Sequence, residues 1–266
     1  MQMKSFICLS AIAMATSFCG CSGNNSSANT ASAPAADTTT LPPVETKAPN
    51  ADYKPAFEGQ TRVKAVKTTT AYKVEKIAEN LGGPWAVAPM PDGRLLITIK
   101  SGYMEIRNAD GTLAKKITGF PKVEDAGQGG LLDVALDPDF AQNKTIYWSF
   151  SEKQGKGNLT SVAKGQLSAD ETTIQNPTVI FRATPALDSK LHFGSRLIFD
   201  KDGNLFVSAG ERSILEGRKQ AQWLNAGLGK VFKITKEGKP APGNPFIGQK
   251  DAMPEIYAYG MRNPQS

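Results

Sequence analysis

The chain has 266 residues, of which 40% are hydrophobic and 21% are charged, a balance typical of a globular protein with a sizeable core. The formal net charge is +6, but the lysines and arginines are dispersed and no basic stripe with interleaved aromatic residues is present, which argues against a nucleic-acid partner. All three cysteines lie in the first 21 residues and there is a single histidine, so the body has no internal disulfide, no cysteine-based metal site and no histidine metal cluster.

Residues 1–21 have the pattern of a lipoprotein-type signal peptide. After a positively charged start, the apolar run of residues 6–18 has the length of a signal-peptide core and is shorter than the roughly 20 residues that a membrane span needs. Gly20 before Cys21 resembles a bacterial lipoprotein cleavage box, although Phe18 stands where such boxes usually carry leucine. We expect export to the periplasm and lipidation of Cys21, which would anchor the protein to the outer membrane. Plain cleavage and secretion is the alternative.

Residues 22–58 are rich in Ser, Thr, Ala, Asn and Pro, and large apolar side chains are almost absent. Such a composition buries too little apolar surface to offset the entropy of ordering, about 1–2 kcal/mol per residue for the backbone alone. We interpret this segment as a disordered tether between the anchor and a folded body over residues 59–266.

The body consists of short β-branched or aromatic runs bounded by Asp, Gly and Pro, which is the signature of strands and hairpins. Tyr72, Val74 and Ile77 predict an early strand. A unit of an apolar run, a turn and a second apolar run then occurs three times, around the turns Pro91-Asp92-Gly93, Asp137-Pro138-Asp139 and Asp200-Lys201-Asp202-Gly203. The units are anchored 47 and 63 residues apart, and periods of about 40–50 residues are typical of propeller blades with loop insertions. The pattern predicts an all-β fold, a β-propeller, with a β-sandwich as the alternative.

His192, the single histidine, stands immediately before the first strand of the third unit, where propellers gather residues towards the central channel. Glu211 occupies the matching position beyond the next strand. A carboxylate near an imidazole fixes its tautomer and raises its basicity, so the two residues are candidates for acid–base chemistry. The alternative is a satisfied structural or surface histidine.

Gln128 lies in a glycine-rich segment, residues 126–130, where the missing side chains would let the backbone approach a ligand closely. The spacing is not that of a nucleotide-binding loop, and a plain turn is the alternative. Gly227-Leu228-Gly229-Lys230 likewise lacks the full phosphate-loop pattern. Arg262 and Asn263, taken alone, read as a surface turn.

Taken together, the motifs of the body occur in the order typical of one family. They are Pro84-Trp85-Ala86-Val87, Pro91-Asp92-Gly93-Arg94-Leu95-Leu96, Gln128-Gly129-Gly130-Leu131-Leu132-Asp133, Asp137-Pro138-Asp139-Phe140, His192-Phe193-Gly194-Ser195-Arg196-Leu197, Asp202-Gly203-Asn204-Leu205-Phe206, Asn244-Pro245-Phe246 and Arg262-Asn263-Pro264-Gln265. Over about residues 72–266 the chain thus resembles the soluble aldose and sorbosone dehydrogenases, six-bladed propellers that depend on pyrroloquinoline quinone (PQQ).

The resemblance implies a role for each candidate. His192 would be the general base that takes the proton of the anomeric hydroxyl while hydride passes to the quinone, and Glu211 would orient it. Gln128 would face the sugar. Arg262 and Asn263 would contact the quinone. The implied activity is oxidation of aldose sugars, with an external electron acceptor as a further partner and the lipid anchor as the only membrane contact.

Three departures from the family pattern bear on this expectation. Ile99 stands where family members often carry glutamate, and the loop after Glu211 does not align with known sugar contacts. Family members also continue beyond the motif that ends this chain, with roughly two more blades that hold the calcium ligands and the cations for the PQQ carboxylates. We therefore expect an incomplete propeller of about three and a half blades, a fragment inactive by itself and without a metal site. Two alternatives remain, a non-catalytic propeller that binds carbohydrate or a protein partner, and a hydrolytic propeller such as a lactonase.

Lipidation can be tested on the mature N-terminus. In a Gram-negative host, mass spectrometry should find Cys21 as the first residue and lipidated, because Gly20-Cys21 follows a complete signal core. Cys21→Ser should remove the lipid. An unmodified N-terminus beyond Cys21 in the original chain would contradict the expectation.

Overall fold

The computed structural model describes residues 41–48, 52, 54–57, 60 and 62–266. The chain divides into two compact units, Met1–Val74 and Glu75–Ser266. The predicted signal peptide, Cys21 and most of the predicted tether lie outside the described residues. In the first unit, Pro43 and Lys64 form an isolated antiparallel bridge. Among the residues described, no helix has the length and apolar character that a membrane crossing requires.

The described part of the second unit contains three four-stranded antiparallel sheets, each with its strands in chain order. Sheet 1 consists of β1 (Pro84–Pro89), β2 (Leu95–Ile99), β3 (Tyr103–Arg107) and β4 (Leu113–Ile117). Sheet 2 consists of β5 (Leu131–Leu136), β6 (Thr145–Gln154), β7 (Gly157–Leu167) and β8 (Ile174–Arg182), with the helix α1 (Phe140–Asn143) between β5 and β6. Sheet 3 consists of β9 (Leu197–Phe199), β10 (Leu205–Ala209), β11 (Lys230–Ile234) and β12 (Ile256–Tyr259), with the helix α2 (Leu215–Gln220) between β10 and β11.

The repeated unit of the sequence is the first hairpin of each sheet. Its two apolar runs form β1 and β2, β5 and β6, and β9 and β10, which pair antiparallel across the predicted turns. The predicted early strand is wrong, because the stretch from residue 65 to residue 83 contains no strand. Tyr72 and Val74 are 86% and 82% exposed, since no neighbouring strand in the described part of the chain pairs with them.

Sheet 2 contributes side chains to two hydrophobic cores. Since successive residues of a strand point to opposite faces, β6 can serve both. Ile146, Trp148 and Phe150 pack with apolar side chains of sheet 1, whereas Tyr147 packs with those of sheet 3. Residues 146–151 are consequently all buried. The three sheets are therefore stacked face to face, with sheet 2 in the middle.

A buried hydroxyl on the second strand of each sheet bonds to the segment that follows in the stack. Thr98 Oγ1 accepts a hydrogen bond from its own sheet, Ala86 N at 2.9 Å, and donates to Leu132 O of β5 at 2.6 Å. Ser149 Oγ repeats the pattern between sheets 2 and 3, and Ser208 Oγ repeats it beyond β10. The four bonds concerned are Asp133 N to Ser149 Oγ at 3.0 Å, Ser149 Oγ to Ser195 O at 2.7 Å, Arg196 N to Ser208 Oγ at 2.9 Å and Ser208 Oγ to Pro264 O at 2.7 Å. We call these three groups the hydroxyl bridges.

Removing one hydroxyl bridge should weaken the stack. Thr98→Val keeps the side-chain shape but deprives Ala86 N and Leu132 O of their partner, and a buried polar group left unsatisfied costs about 1–3 kcal/mol. Urea unfolding should show a loss of that order. Thr178→Val, on the exposed face of β8, is the matched control and should change stability by less than about 0.5 kcal/mol. Equal losses in the two variants would show that the bridge is not what stabilises the stack.

Candidate functional site

The five residues predicted from the sequence meet at one end of the sheets. Gln128 precedes β5, His192 precedes β9, and Glu211 follows β10, while Arg262 and Asn263 follow β12. In an antiparallel hairpin, the start of the first strand and the end of the second lie at the same end. The hairpin topology, repeated in adjacent sheets, therefore collects these side chains even though they are far apart in sequence.

His192 and Glu211 form the central pair of the site. His192 Nδ1 lies 2.8 Å from Glu211 Oε2, and the side chains are 12% and 5% exposed. The same oxygen accepts a hydrogen bond from Ser213 N at 2.6 Å, which fixes the carboxylate. An ionised carboxylate is only an acceptor, so a hydrogen bond to it requires the proton on Nδ1, and in a neutral imidazole that tautomer leaves the lone pair on Nε2. Arg218 Nε, at 3.8 Å from Glu211 Oε1, adds a more exposed cation.

Gln128 contacts the histidine through the backbone. His192 N donates to Gln128 Oε1 at 2.8 Å, and Gln128 N donates to Lys190 O at 2.8 Å. The neighbouring Gly127 has φ +60°, and a Cβ there would lie 2.6 Å from Lys190 O. The glycines of this segment thus allow close approach between two parts of the protein's own backbone. The sequence had predicted that a ligand would make this close approach. The presence of the glycines gives no evidence for a nucleotide or phosphate.

Arg262 and Asn263 accept hydrogen bonds from backbone N–H groups of the segments that carry the pair. Glu211 N donates to Arg262 O, and Gly194 N donates to Asn263 Oδ1, both at 2.9 Å. Among the described residues, no protein group accepts a hydrogen bond from the Arg262 guanidinium or from the Asn263 amide nitrogen. These N–H groups are therefore available to donate to oxygen atoms of a bound molecule.

Arg212 belongs to the site and was missed by the sequence analysis. Its guanidinium is buried next to the loop that carries His192, at 1% exposure. Burial lowers the pKa of Arg212 to about 10, partly offset by attraction to Glu211, so the group stays charged at neutral pH. The local sequence gives no signal for this burial, because the groups that surround Arg212 come from the segment before His192 and from the start of β7.

The described residues contain no group of three or more His, Cys, Asp or Glu side chains placed to hold a metal ion. The calcium that the resemblance implies therefore stays a prediction.

Stacked four-stranded antiparallel sheets of this kind are the blades of a β-propeller. When such blades repeat around an axis, only short strand edges are left exposed. The all-β prediction and the partial propeller are confirmed by the three sheets and by the solved structures of similar fold.

The chain belongs to the family described as Glucose / Sorbosone dehydrogenase, whose model matches residues 81–266. Aldose sugar dehydrogenase YliI of Escherichia coli (strain K12) is 41% identical over 194 residues, which cover 72% of this chain and 52% of that protein. The soluble aldose sugar dehydrogenase from Escherichia coli in its apo-form, a crystal structure, matches with a TM-score of 0.67 and 39% identity, over 71% of this chain and 54% of that one. The PQQ-bound form of the aldose sugar dehydrogenase from Streptomyces coelicolor matches with a TM-score of 0.60 and 28% identity, over 71% and 54%.

The chain spans about half the length of these relatives. The family and the propeller fold follow from the comparisons, whereas the roles of the individual site residues stay predictions.

The tautomer of His192 offers a direct test of the pair, since the chain has one histidine and therefore two ring nitrogens to observe. In ¹⁵N spectra of the histidine-labelled chain, we expect a single tautomer with the proton on Nδ1. Glu211→Gln should retain it, because one amide oxygen at the position of Oε2 can accept from both Ser213 N and His192 Nδ1. Glu211→Leu should give the tautomer mixture of free imidazole. A folded Leu variant with the proton still held on Nδ1 would rule out Glu211 as the orienting group.

Proposed function

We propose that the protein takes part in the PQQ-dependent oxidation of an aldose sugar at the anomeric C–OH group, with hydride transfer to the quinone. The observation that carries this proposal is the 2.8 Å contact between His192 Nδ1 and the buried carboxylate of Glu211. Membership of the sugar dehydrogenase family supports the substrate class.

His192 acts as the general base. With Nδ1–H donated to Glu211, the Nε2 lone pair accepts the proton of the anomeric hydroxyl as the hydride leaves the same carbon, which becomes the carbonyl of a lactone. The carboxylate then stabilises the positive charge that develops on the imidazole. A positioned base of this kind contributes about 10²–10⁴-fold to the rate.

Arg262 and Asn263 would hold the quinone part of the cofactor. Bound PQQ would supply the two-electron acceptor for the hydride. The N–H groups of both side chains are free of protein acceptors in the part of the chain that is described, and they fit the carbonyl oxygens of a quinone. The Arg262 guanidinium would stabilise negative charge on such an oxygen. The PQQ-bound relative supports this choice of cofactor.

Gln128 would contact the sugar. Its side-chain oxygen accepts from His192 N, which leaves the amide N–H groups for a sugar hydroxyl. The contact would place substrate and base on one rigid frame, and such positioning supports catalysis.

Catalysis is favoured over a purely carbohydrate-binding or protein-binding propeller. A binding surface has no need for a carboxylate that is 5% exposed and directed at a histidine Nδ1. Burial of a charged group is costly unless a partner compensates the charge. Here the buried group is the Glu211 carboxylate, and its partner is the imidazole that it would orient as a base.

We further propose that these 266 residues do not turn over sugar by themselves. The calcium ligands and the cations for the PQQ carboxylates would come from the part of the relatives that this chain does not match. The electron acceptor would be an external protein or small molecule. Anchoring through a lipid on Cys21 would place the reaction at the periplasmic face of the outer membrane.

The base can be tested in a chain completed to the length of the relatives. With PQQ, calcium and glucose, His192→Ala should slow single-turnover quinone reduction by at least about 100-fold, while sugar affinity changes little. Thr178→Val, on an exposed strand face remote from the site, should keep the original rate. Near-normal reduction in the His192→Ala variant would remove this residue from the mechanism.

The 266-residue chain provides a second test. Given PQQ and calcium, it should show no turnover of glucose with an artificial dye acceptor. Clear turnover by a monodisperse sample would contradict the proposal that the unmatched part of the relatives is needed.

A further inference from the structure

We propose that Arg212 is the positioning residue of the His192–Glu211 pair, and that its guanidinium holds the loop of residues 189–193 in the conformation that keeps the imidazole against the carboxylate. This inference rests on the proposed role of His192 as the base. Arg212 does not itself contact the carboxylate by a hydrogen bond, so its effect is exerted through the loop and through its charge.

The hydrogen bonds of Arg212 join the loop to sheet 2. Nε donates to Leu191 O at 3.1 Å and Nη2 donates to Ser189 O at 2.6 Å. Both acceptors lie in the loop segment that leads into His192. The remaining bonds go to Asn158 at the start of β7, from Nη1 to the backbone oxygen at 2.7 Å and from Nη2 to Oδ1 at 2.5 Å. The guanidinium therefore ties the residues before the histidine to a strand of the core.

The geometry requires an arginine at this position. Four acceptor contacts are arranged around one planar group, and the guanidinium lies 3.9 Å from the centre of the Phe193 ring, on the other side of the histidine in sequence. An ammonium group has three donors and no plane, so lysine cannot reproduce both the fork and the stacking. Arg212→Lys is therefore a substitution that keeps the charge and loses the positioning.

Arg212 contacts the loop that carries His192, and on both sides of this contact the backbone has an unfavourable conformation. His192, Arg212 and Ser213 have φ values of 51°, 68° and 59°, in the left-handed region that residues with a side chain rarely adopt. Arg212 N donates to His192 O at 3.3 Å, and Ser189 Oγ donates to Arg212 O. Such conformations persist only where the surroundings fix them, and the Arg212 contacts supply that constraint.

The charge of Arg212 acts in the same direction. Its hydrogen-bond acceptors are carbonyl and amide oxygens, so no carboxylate neutralises the guanidinium by direct contact. Glu211 is the charged group that attracts it. A buried cation next to the pair is therefore attracted to the side of the site that carries the Glu211 carboxylate.

The test is ¹⁵N NMR of the histidine-labelled full chain without cofactor, together with thermal unfolding. Arg212→Lys should fold, yet its imidazole should lose the single Nδ1–H tautomer and approach the mixture of free imidazole. The matched control is Arg107→Lys in β3, which removes an arginine fork to Glu105 and Gly111 at a distant site. It should reduce stability and leave the imidazole spectrum unchanged.

A folded Arg212→Lys chain with an unchanged tautomer would overturn the inference, as would an equal spectral change in Arg107→Lys. If Arg212→Lys does not fold, Asn158→Ala decides. It removes only the Oδ1 contact and should move the tautomer ratio in the same direction by a smaller amount, whereas an unchanged ratio would count against the inference. Because this readout needs neither PQQ nor sugar, loss of the proposed activity and loss of the positioning role give distinguishable results.

Discussion

The stack of sheets depends on hydroxyl groups buried between the blades. Thr98 and Ser149 join the first strand of their own sheet, and Ser208 joins the residue just before it, to the segment that follows in the stack. Apolar packing between sheets is non-directional, so it tolerates sliding of one sheet against the next. A hydroxyl that must both accept and donate has one satisfactory position, and it therefore fixes the register between neighbouring blades.

The distances within the site depend in part on that register between neighbouring blades. The residues of the site come from segments next to two different sheets, and Gln128 Oε1 contacts His192 N across the junction between sheets 2 and 3. A shift of one blade against the next by part of a residue would separate Gln128 from His192. If the site has the proposed function, its geometry would lose rate steeply with displacements near 1 Å, and the buried hydroxyls would then contribute to the chemistry without approaching it.

The parts of the fold that the sequence predicts are those with a local signal. Apolar runs on either side of Asp-Gly or Asp-Pro turns identified the first hairpin of each blade, and the position of Glu211 one hairpin after His192 identified the pair. Tyr72 and Val74 were misassigned because alternating apolar residues make a strand only when another strand pairs with them. Arg212 escaped detection because three of its acceptors are backbone carbonyls, which every residue carries. Burial of this kind is decided by tertiary structure alone.

The middle sheet has a consequence for how this protein can evolve. With apolar cores on both sides of β6, the residues from 146 to 151 have no solvent-facing position. Strand β4 carries an exposed Leu113 and two exposed lysines, so its sequence can drift at those places without loss of fold. Substitutions should therefore be tolerated at the exposed positions of β4 and hardly at all along the centre of β6, which makes the centre of β6 a slow-changing segment and a poor place to engineer new properties.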